Sequence, residues 1–139
     1  MRSTLTLRAH GAADPDLAWE RYAQLDLWPT WSPHIRRVEP AGARLSIGLA
    51  GVVHGPVGIA AGFVVTELDE AARTWRWQVR PALGSRITLP VTLDLAHTVQ
   101  ARAGGSQTAL TISASVFAAP LVAGYAPIAR LALHRLVNP

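Results

Sequence analysis

Polar and apolar residues alternate along most of this chain, and the spacing becomes helical in only a few segments. A period of two in the first ten residues and again from residue 35 onward predicts β-strands. The predicted strands cover residues 3–10, 35–40, 44–54, 58–68, 73–80, 87–102 and 107–117. Short turns rich in glycine and proline, such as residues 81–84, separate the later strands and indicate an antiparallel meander.

The first helical segment follows the first strand. Asp14 is a suitable N-cap and Pro15 suits the first helical position, so a helix is expected from this point, with Leu17, Ala18, Tyr22 and Leu25 on its buried side and Trp19 flanking them. The next segment, LWPTWSP, contains Pro29 and Pro33. Two prolines exclude a continuous helix, so this segment predicts a short, broken helical corner.

The last helical segment is long and apolar. Its apolar stripe consists of Leu121, Tyr125, Ile128, Ala132 and Leu136. Pro127 is expected to kink or restart this helix after Gly124. Only one face of the sheet is large enough to bury such a helix, so the pattern predicts an α+β fold of six to seven antiparallel strands with two short helices and one long C-terminal helix.

Composition limits the class of protein. The chain has 139 residues, of which 50% are hydrophobic and 16% charged, as expected of one folded domain spanning residues 1–139. The most apolar stretch, residues 45–65, is interrupted by glycine and proline, so no membrane insertion is expected. The N-terminus alternates instead of forming an export signal, which predicts a cytoplasmic protein. Oligomeric state stays open between monomer and homodimer.

Charge and motifs exclude several functions. All thirteen basic residues are arginine, and they are scattered along the chain, so a nucleic-acid partner is not expected despite a net charge of +4. The histidines lack metal-ligand spacing, and no GxSxG or GxGxxG motif is present. The sequence therefore predicts no metal, no cofactor and no hydrolase or nucleotide-binding chemistry.

Alternation also assigns side chains to the two faces of the sheet. In RTWRWQVR, Trp75, Trp77 and Val79 share one face and the arginines share the other, so the tryptophan face is predicted to be the inner one. Two further inner rows are predicted: Leu93, Leu95, His97 and Val99, and Leu110, Ile112, Ala114 and Val116. The two indoles are either core packing or the wall of a pocket, and one ring can serve both purposes.

His97 is the only polar side chain on these inner rows. A buried imidazole needs a hydrogen-bond partner, so His97 is a core histidine bonded to a neighbour, a donor or proton-transfer group facing a ligand, or, least expected, a metal ligand. His54 lies at a turn, where it is either an exposed loop histidine or part of a pocket mouth. Tyr125, near Pro127, either packs in the core or points its hydroxyl into a cavity.

The order of elements resembles the START-like, helix-grip superfamily (SRPBCC), in its polyketide cyclase/dehydrase and lipid transport branch. The resembling segments are WPTWSPHIRRVEP, GARLSIGLAGVVHGPVG, FVVTELDEAARTWRWQV and LDLAHTVQARAGGSQTALTIS, together with Trp19. The resemblance implies a strongly curved sheet that grips the C-terminal helix and encloses a hydrophobic cavity. The polar residues by which aromatase and cyclase members fold a polyketide are not recognisable as a set.

Two small-molecule functions follow as hypotheses, beside a third possibility, an interaction module whose sheet and helix pack without a cavity. The first is binding of a hydrophobic small molecule, aromatic and polyketide-like or lipid-like. The alternative is a cofactor-independent cyclase, aromatase or dehydratase in which His97 transfers a proton. The expected ligand-binding residues are Trp75, Trp77, Leu95, His97, Leu110, Ile112, Tyr125 and His54.

Overall fold

Eight antiparallel strands form one sheet in the computed structural model, which describes residues 1–83 and 87–139. The strands are β1 (Arg2–Gly11), β2 (Arg37–Glu39), β3 (Ala50–His54), β4 (Ile59–Asp69), β5 (Thr74–Leu83), β6 (Ile87–Thr88), β7 (Leu93–Arg102) and β8 (Gly105–Ser115). Their order in the sheet is β1-β8-β7-β5-β4-β3-β2, and β6 pairs with the end of β5. The predicted α+β class is confirmed.

Three α-helices accompany the sheet in the described part of the chain: α1 (Pro15–Ala23), α2 (Trp28–Trp31) and α3 (Ala119–Val137). The carboxylate of Asp14 accepts a hydrogen bond of 2.9 Å from the backbone N–H of Asp16, so α1 begins with the predicted cap. Helix α3 runs through Pro127 without interruption, so it does not restart after Gly124, and the alternative of a kink at Pro127 stays a prediction.

Several predicted strand boundaries are wrong because turns interrupt the alternation. Residues 44–49 form a bridge and a turn before β3, with Gly48 at a φ of +85° that favours glycine. The strand predicted at residues 87–102 is divided into β6 and β7, and Pro90, which has no N–H to donate, lies between them. Strand β5 continues to Leu83, where a turn was predicted; Gly84, the last residue of that turn, lies outside the described residues.

The predicted inner faces are largely correct. Trp75, Trp77 and Val79 are all buried, and so are the inner residues of β7 and β8. Val116 is the exception, because β8 ends at Ser115 and Val116 begins a 3₁₀ turn with 42% of its surface exposed. On α1, Trp19 is buried and Leu17 is exposed, the reverse of the predicted arrangement.

Curvature of the sheet determines how α3 packs. A register shift between Val65 and Glu67 marks a bulge in β4, and bulges bend a sheet and increase its twist. Helix α3 buries a stripe of residues against the curved sheet: Val122, Ala126, Ala129, Ala132, Leu133, Leu136 and Val137. Leu121, Tyr125 and Ile128, which the sequence also placed on the buried stripe, are only partly covered.

Helix α3 contains an apolar segment that the sequence interpretation did not consider as a possible membrane span. Residues Val116–Val137 are long and apolar enough to cross a membrane, with a mean hydropathy of 1.6. In this fold one face of the helix packs against the inner face of the sheet and 33% of the apolar window is buried, so core packing explains part of its apolar character.

The C-terminus of α3 is held by Arg21 of α1. The guanidinium donates hydrogen bonds of 2.6 Å to the carbonyls of Arg135 and Leu136, and a longer one of 3.3 Å to the carbonyl of Thr30. The last carbonyls of a helix have no partner within the helix, and a cation there also interacts favourably with the helix dipole. Arg21 therefore joins α1, the end of α2 and the end of α3.

We expect Arg21→Met to lower the free energy of unfolding by about 2 kcal/mol, because methionine retains part of the apolar stem but leaves the buried carbonyls without a charged donor. Chemical denaturation followed by tryptophan fluorescence measures the change. Arg130→Met, at an exposed position of α3, is the matched control and is expected to change stability by less than about 0.5 kcal/mol. Equal effects of the two substitutions would contradict the role assigned to Arg21.

Candidate ligand-binding site

An apolar cavity of about 510 Å³ lies between the inner face of the sheet and α3. The sheet contributes Val53, Ile59, Ala60, Ala61, Trp77, Val79, Pro81, Leu93, Leu95, His97 and Leu110. The helical corner and α3 contribute Trp31, Ser32, His34, Ile35, Pro120, Leu121, Gly124, Tyr125, Ile128, Ala129, Ala132 and Leu133, and the loop after β3 contributes Gly55 and Pro56. The volume is within the range of about 300–1,000 Å³ that is usual for small-molecule sites.

A cluster of packed aromatic rings includes and supports part of the cavity wall. Trp77 forms part of the wall, and Trp28 of α2 packs edge-on against it with ring centroids 5.1 Å apart. Trp75 lies beside Trp77, 5.1 Å between centroids, but Trp28 and Tyr22 cover it and it is not part of the wall. Of the two indoles in RTWRWQVR, Trp77 therefore lines the cavity and Trp75 supports it from the core.

His97 is buried at the junction of this cluster and the cavity. Its ring stacks on Trp75 with centroids 4.5 Å apart and an interplanar angle of 11°. The indole N–H of Trp77 donates a hydrogen bond of 3.0 Å to His97 Nε2. Because an indole nitrogen can only donate, Nε2 must be the acceptor, and the proton of the neutral ring is on Nδ1. The hydrogen bond from Trp77 thus sets the tautomer of His97.

Burial also sets the charge of His97. The apolar surroundings lower the pKa of the imidazole from 6.5 to about 3, because the charged ring would lose its hydration. At neutral pH the ring is uncharged. Its Nδ1 is buried and has no hydrogen-bond partner among the described residues.

Tyr125 and His34 lie at the α3 side of the cavity. Their rings meet edge to face with centroids 5.4 Å apart, and His34 Nδ1 is 3.0 Å from the hydroxyl of Ser32. Burial raises the pKa of Tyr125 to about 12 and lowers the pKa of His34. The Tyr125 phenol is therefore protonated at neutral pH and able to donate a hydrogen bond.

Of the eight residues that the sequence predicted to bind a ligand, some line the cavity and the others do not. Five of them line the cavity: Trp77, Leu95, His97, Leu110 and Tyr125. Trp75 and Ile112 are in the core; Ile112 is 1% exposed and pairs with Leu5 on one side and Leu95 on the other. His54 is outside the cavity wall, with its Nε2 3.4 Å from the carboxylate of Glu39.

The sequence interpretation missed the contribution of the helical corner. Trp31, Ser32 and His34 line the cavity, although LWPTWSP was interpreted as a broken helical corner and WPTWSPHIRRVEP only as part of the family resemblance. The concentration of two tryptophans and a histidine within seven residues was the available signal. Gly124 was also missed, since a glycine in a helical pattern is normally interpreted only as a weak point in the helix.

Several exposed apolar side chains belong to the cavity wall or lie close to wall residues along the chain or across the sheet. Val57, in the loop next to the wall residue Pro56, is 94% exposed, and Phe117, three residues before Pro120, is 92% exposed. Ile59 and Leu83 form a cross-strand pair at the same end of the sheet, and both are about half exposed. These side chains add exposed apolar surface close to the cavity wall.

A curved antiparallel sheet, a long C-terminal helix and an apolar cavity between them define the helix-grip class with the Bet v 1-like fold. A family described as polyketide cyclase / dehydrase and lipid transport matches residues 2–138, and the chain belongs to this family. The resemblance inferred from the sequence is therefore confirmed. No curated protein matches the sequence.

Solved structures have the same fold at low sequence identity. Major latex-like protein 151 from Panax ginseng superposes with a TM-score of 0.78 at 12% identity, covering 98% of this chain and 95% of that one. Protein Ms6760 from Mycobacterium smegmatis gives a TM-score of 0.75 at 22% identity, with 96% and 87% covered. Ara h 8.0201 gives 0.68 at 14% identity, with 98% and 99% covered. At these identities the likeness extends to the fold alone.

Proposed function

We propose that this protein binds a flat or elongated, largely apolar small molecule of the aromatic, polyketide-like or lipid-like type in the cavity between the sheet and α3. The observation that carries the proposal is the cavity itself, about 510 Å³ with walls made almost wholly of aliphatic and aromatic side chains. Apolar walls favour an apolar ligand because water leaves both surfaces on binding. A cytoplasmic location, and a monomeric or homodimeric state, stay predictions.

The chemistry of the two cavity indoles supports the same proposal. Trp31 donates its N–H to the carbonyl of Arg21 at 2.8 Å, and Trp77 donates to His97 at 3.0 Å. Both indole N–H groups are therefore already engaged, and each ring presents only carbon atoms to a ligand. Flat aromatic surfaces prefer offset-stacked or edge-to-face contacts, and rings at these positions suit a ligand with a flat apolar part.

The enzymatic alternative, a cyclase or dehydratase that uses His97 for proton transfer, has weaker support. A pKa of about 3 makes the neutral imidazole a weak base, and its protonated form is scarcely populated near neutral pH. General acid–base catalysis works best when the pKa is near the working pH. The electrostatics of His97 thus favour a hydrogen-bonding role over proton transfer.

Fluorescence titration with N-phenyl-1-naphthylamine, an uncharged apolar dye, tests the proposed function. We expect saturable enhancement with one dye bound per chain, and competition by anthraquinone-type aromatics or by long-chain lipids. Excitation of tryptophan should be transferred to the dye, because Trp31 and Trp77 form part of the cavity wall. The absence of saturable binding by the folded protein, for the dye and every competitor, would contradict the proposal.

Trp77→Phe and Trp75→Phe form a matched pair for the same titration. Trp77→Phe should weaken dye binding by about 1 kcal/mol, roughly fivefold, because part of the apolar wall is lost. Trp75→Phe should change the affinity by less than about twofold, since Trp75 is buried in the aromatic cluster and does not line the cavity. A larger effect at Trp75 than at Trp77 would place the ligand elsewhere.

A further inference from the structure

His97 carries a buried N–H group that the protein does not satisfy. Its Nδ1 has no hydrogen-bond partner among the described residues, although 97% of the residue's surface is covered and its ring forms part of the cavity wall. A buried donor without an acceptor has lost its hydration without compensation, and folded proteins rarely keep one without a reason. Trp75 Nε1 is also unpartnered, but Trp75 does not line the cavity.

The hydrogen bond at the other ring nitrogen, Nε2, determines whether Nδ1 is a donor or an acceptor. Trp77 Nε1 donates to His97 Nε2, which forces the proton of the neutral imidazole onto Nδ1. Nδ1 is therefore a donor and requires an acceptor. Rotation of the ring by 180° would remove the hydrogen bond with Trp77, so the arrangement holds the donor in place.

The remaining polar groups of the wall limit what the acceptor can be. None of the described residues that line the cavity is an arginine, aspartate or glutamate. A carboxylate on the ligand would thus lose its hydration without gaining an ionic partner. The hydroxyl of Ser32 is engaged with His34 Nδ1, which leaves His34 Nε2 and the Tyr125 hydroxyl as the other polar side-chain groups at the α3 side.

A carbonyl fits these conditions better than a hydroxyl. A ketone-type oxygen only accepts, so a single hydrogen bond from Nδ1 satisfies it. A hydroxyl would bring its own hydrogen, which would need a further partner besides His97, and the other polar side chains of the wall lie at the α3 side. The pKa of about 3 supports this picture, because it keeps His97 a neutral donor at physiological pH.

We propose that the ligand is an uncharged molecule that carries a ketone-type carbonyl on its apolar frame, and that this oxygen accepts a hydrogen bond from His97 Nδ1. This inference rests on the proposed function and deepens it, since it names the chemical class of the ligand. His97 acts here as a specificity-determining residue.

Three tricyclic compounds of nearly identical shape test the inference: fluorene, 9-fluorenone and carbazole. The central ring carries a CH₂ group in the first, a carbonyl acceptor in the second and an N–H donor in the third. Their affinities are measured by displacement of N-phenyl-1-naphthylamine. We expect 9-fluorenone to bind roughly three- to tenfold more tightly than fluorene, and carbazole to bind at least about fivefold more weakly than 9-fluorenone.

Variants of His97 show whether this preference originates at Nδ1. His97→Leu should bring the ratio of the 9-fluorenone and fluorene affinities close to one. His97→Asn, whose side-chain amide can donate from near the position of Nδ1, should retain part of the preference. Because the ratio is taken within each variant, a general distortion of the cavity cancels. The infrared C=O stretch of 9-fluorenone bound to the unmodified protein gives a measurement that needs no variant, and it should lie at lower wavenumber than in a hydrocarbon solvent.

The outcomes separate this inference from the proposed function. Equal affinities for fluorene and 9-fluorenone in the unmodified protein, or a preference that survives in His97→Leu, would overturn the carbonyl inference and leave the binding function intact. An unshifted C=O stretch in the bound state would also overturn it. If neither the dye nor any of the three tricyclic compounds binds, the proposed function fails and the inference fails with it.

Discussion

Replacing Gly124 by phenylalanine is expected to abolish binding in the cavity, with a loss of affinity of more than about 20-fold, or about 2 kcal/mol. Gly124 lines the cavity from α3, and a Cβ built on it has no atom within 4 Å. The new ring therefore has room and occupies the volume that a ligand would use. The fold should persist, because a helical glycine costs about 1 kcal/mol relative to alanine and its removal offsets any strain. Dye titration measures the affinity and thermal unfolding measures the stability.

Two control variants separate filling of the cavity from changes in the helix. Gly124→Ala should raise the free energy of unfolding by about 0.5–1 kcal/mol and leave dye affinity within about twofold. Ala123→Phe places the same ring at the adjacent, exposed position, which is not part of the wall, and should leave binding unchanged. A folded Gly124→Phe protein that binds the dye with unchanged affinity would show that the ligand site is not this cavity.

Acidification should destabilise the protein through His97 by roughly 3 kcal/mol between pH 8 and pH 4. Burial lowers the pKa of His97 from 6.5 to about 3 in the folded state. Below about pH 6.5 the unfolded chain binds a proton that the folded ring does not, so stability falls as the pH falls toward about 3. Above about pH 6.5 both states are neutral and the contribution of His97 is fully present. Denaturant unfolding at several pH values measures the slope.

His97→Leu isolates this effect from the other titrating groups. His34 also has a pKa lowered by burial, and Arg44 lowers the pKa of Glu70, so both add to acid destabilisation. The variant retains these groups and should lose only the part of the pH dependence that belongs to His97. Identical slopes in the two proteins would contradict a buried neutral imidazole at this position.

The inner faces of the long strands were predictable because alternation of side chains is a local property. Trp75, Trp77, Leu95, His97 and Leu110 are all buried as the period of two indicated. Local alternation cannot distinguish a side chain that faces a cavity from one that faces another element. Trp75 and Trp77 have the same pattern, yet Trp77 lines the cavity, whereas Trp75 packs against Tyr22 and His97 and does not.

His54 and His34 show that the position of a histidine along the chain does not predict whether its side chain lines the cavity. His54 lies one residue from Gly55 of the wall, yet its side chain points to Glu39 on the neighbouring strand β2. The sequence assigned no role to His34, but the helical corner packs against α3, where the ring of His34 meets that of Tyr125. Neither arrangement follows from spacing, because each depends on contacts between residues far apart in the chain or between separate elements.

The amino-acid sequence alone determined the class of fold, the inner faces of the main strands and the isolation of His97 among apolar residues. These features follow from periodicity and turn residues, which act over a few neighbouring positions. The tertiary structure decided that the space between sheet and α3 remains open, which indole lines it and which nitrogen of His97 is free. Each of these depends on how the bend of β4, the helical corner and α3 meet, and such packing is set by contacts distant in sequence.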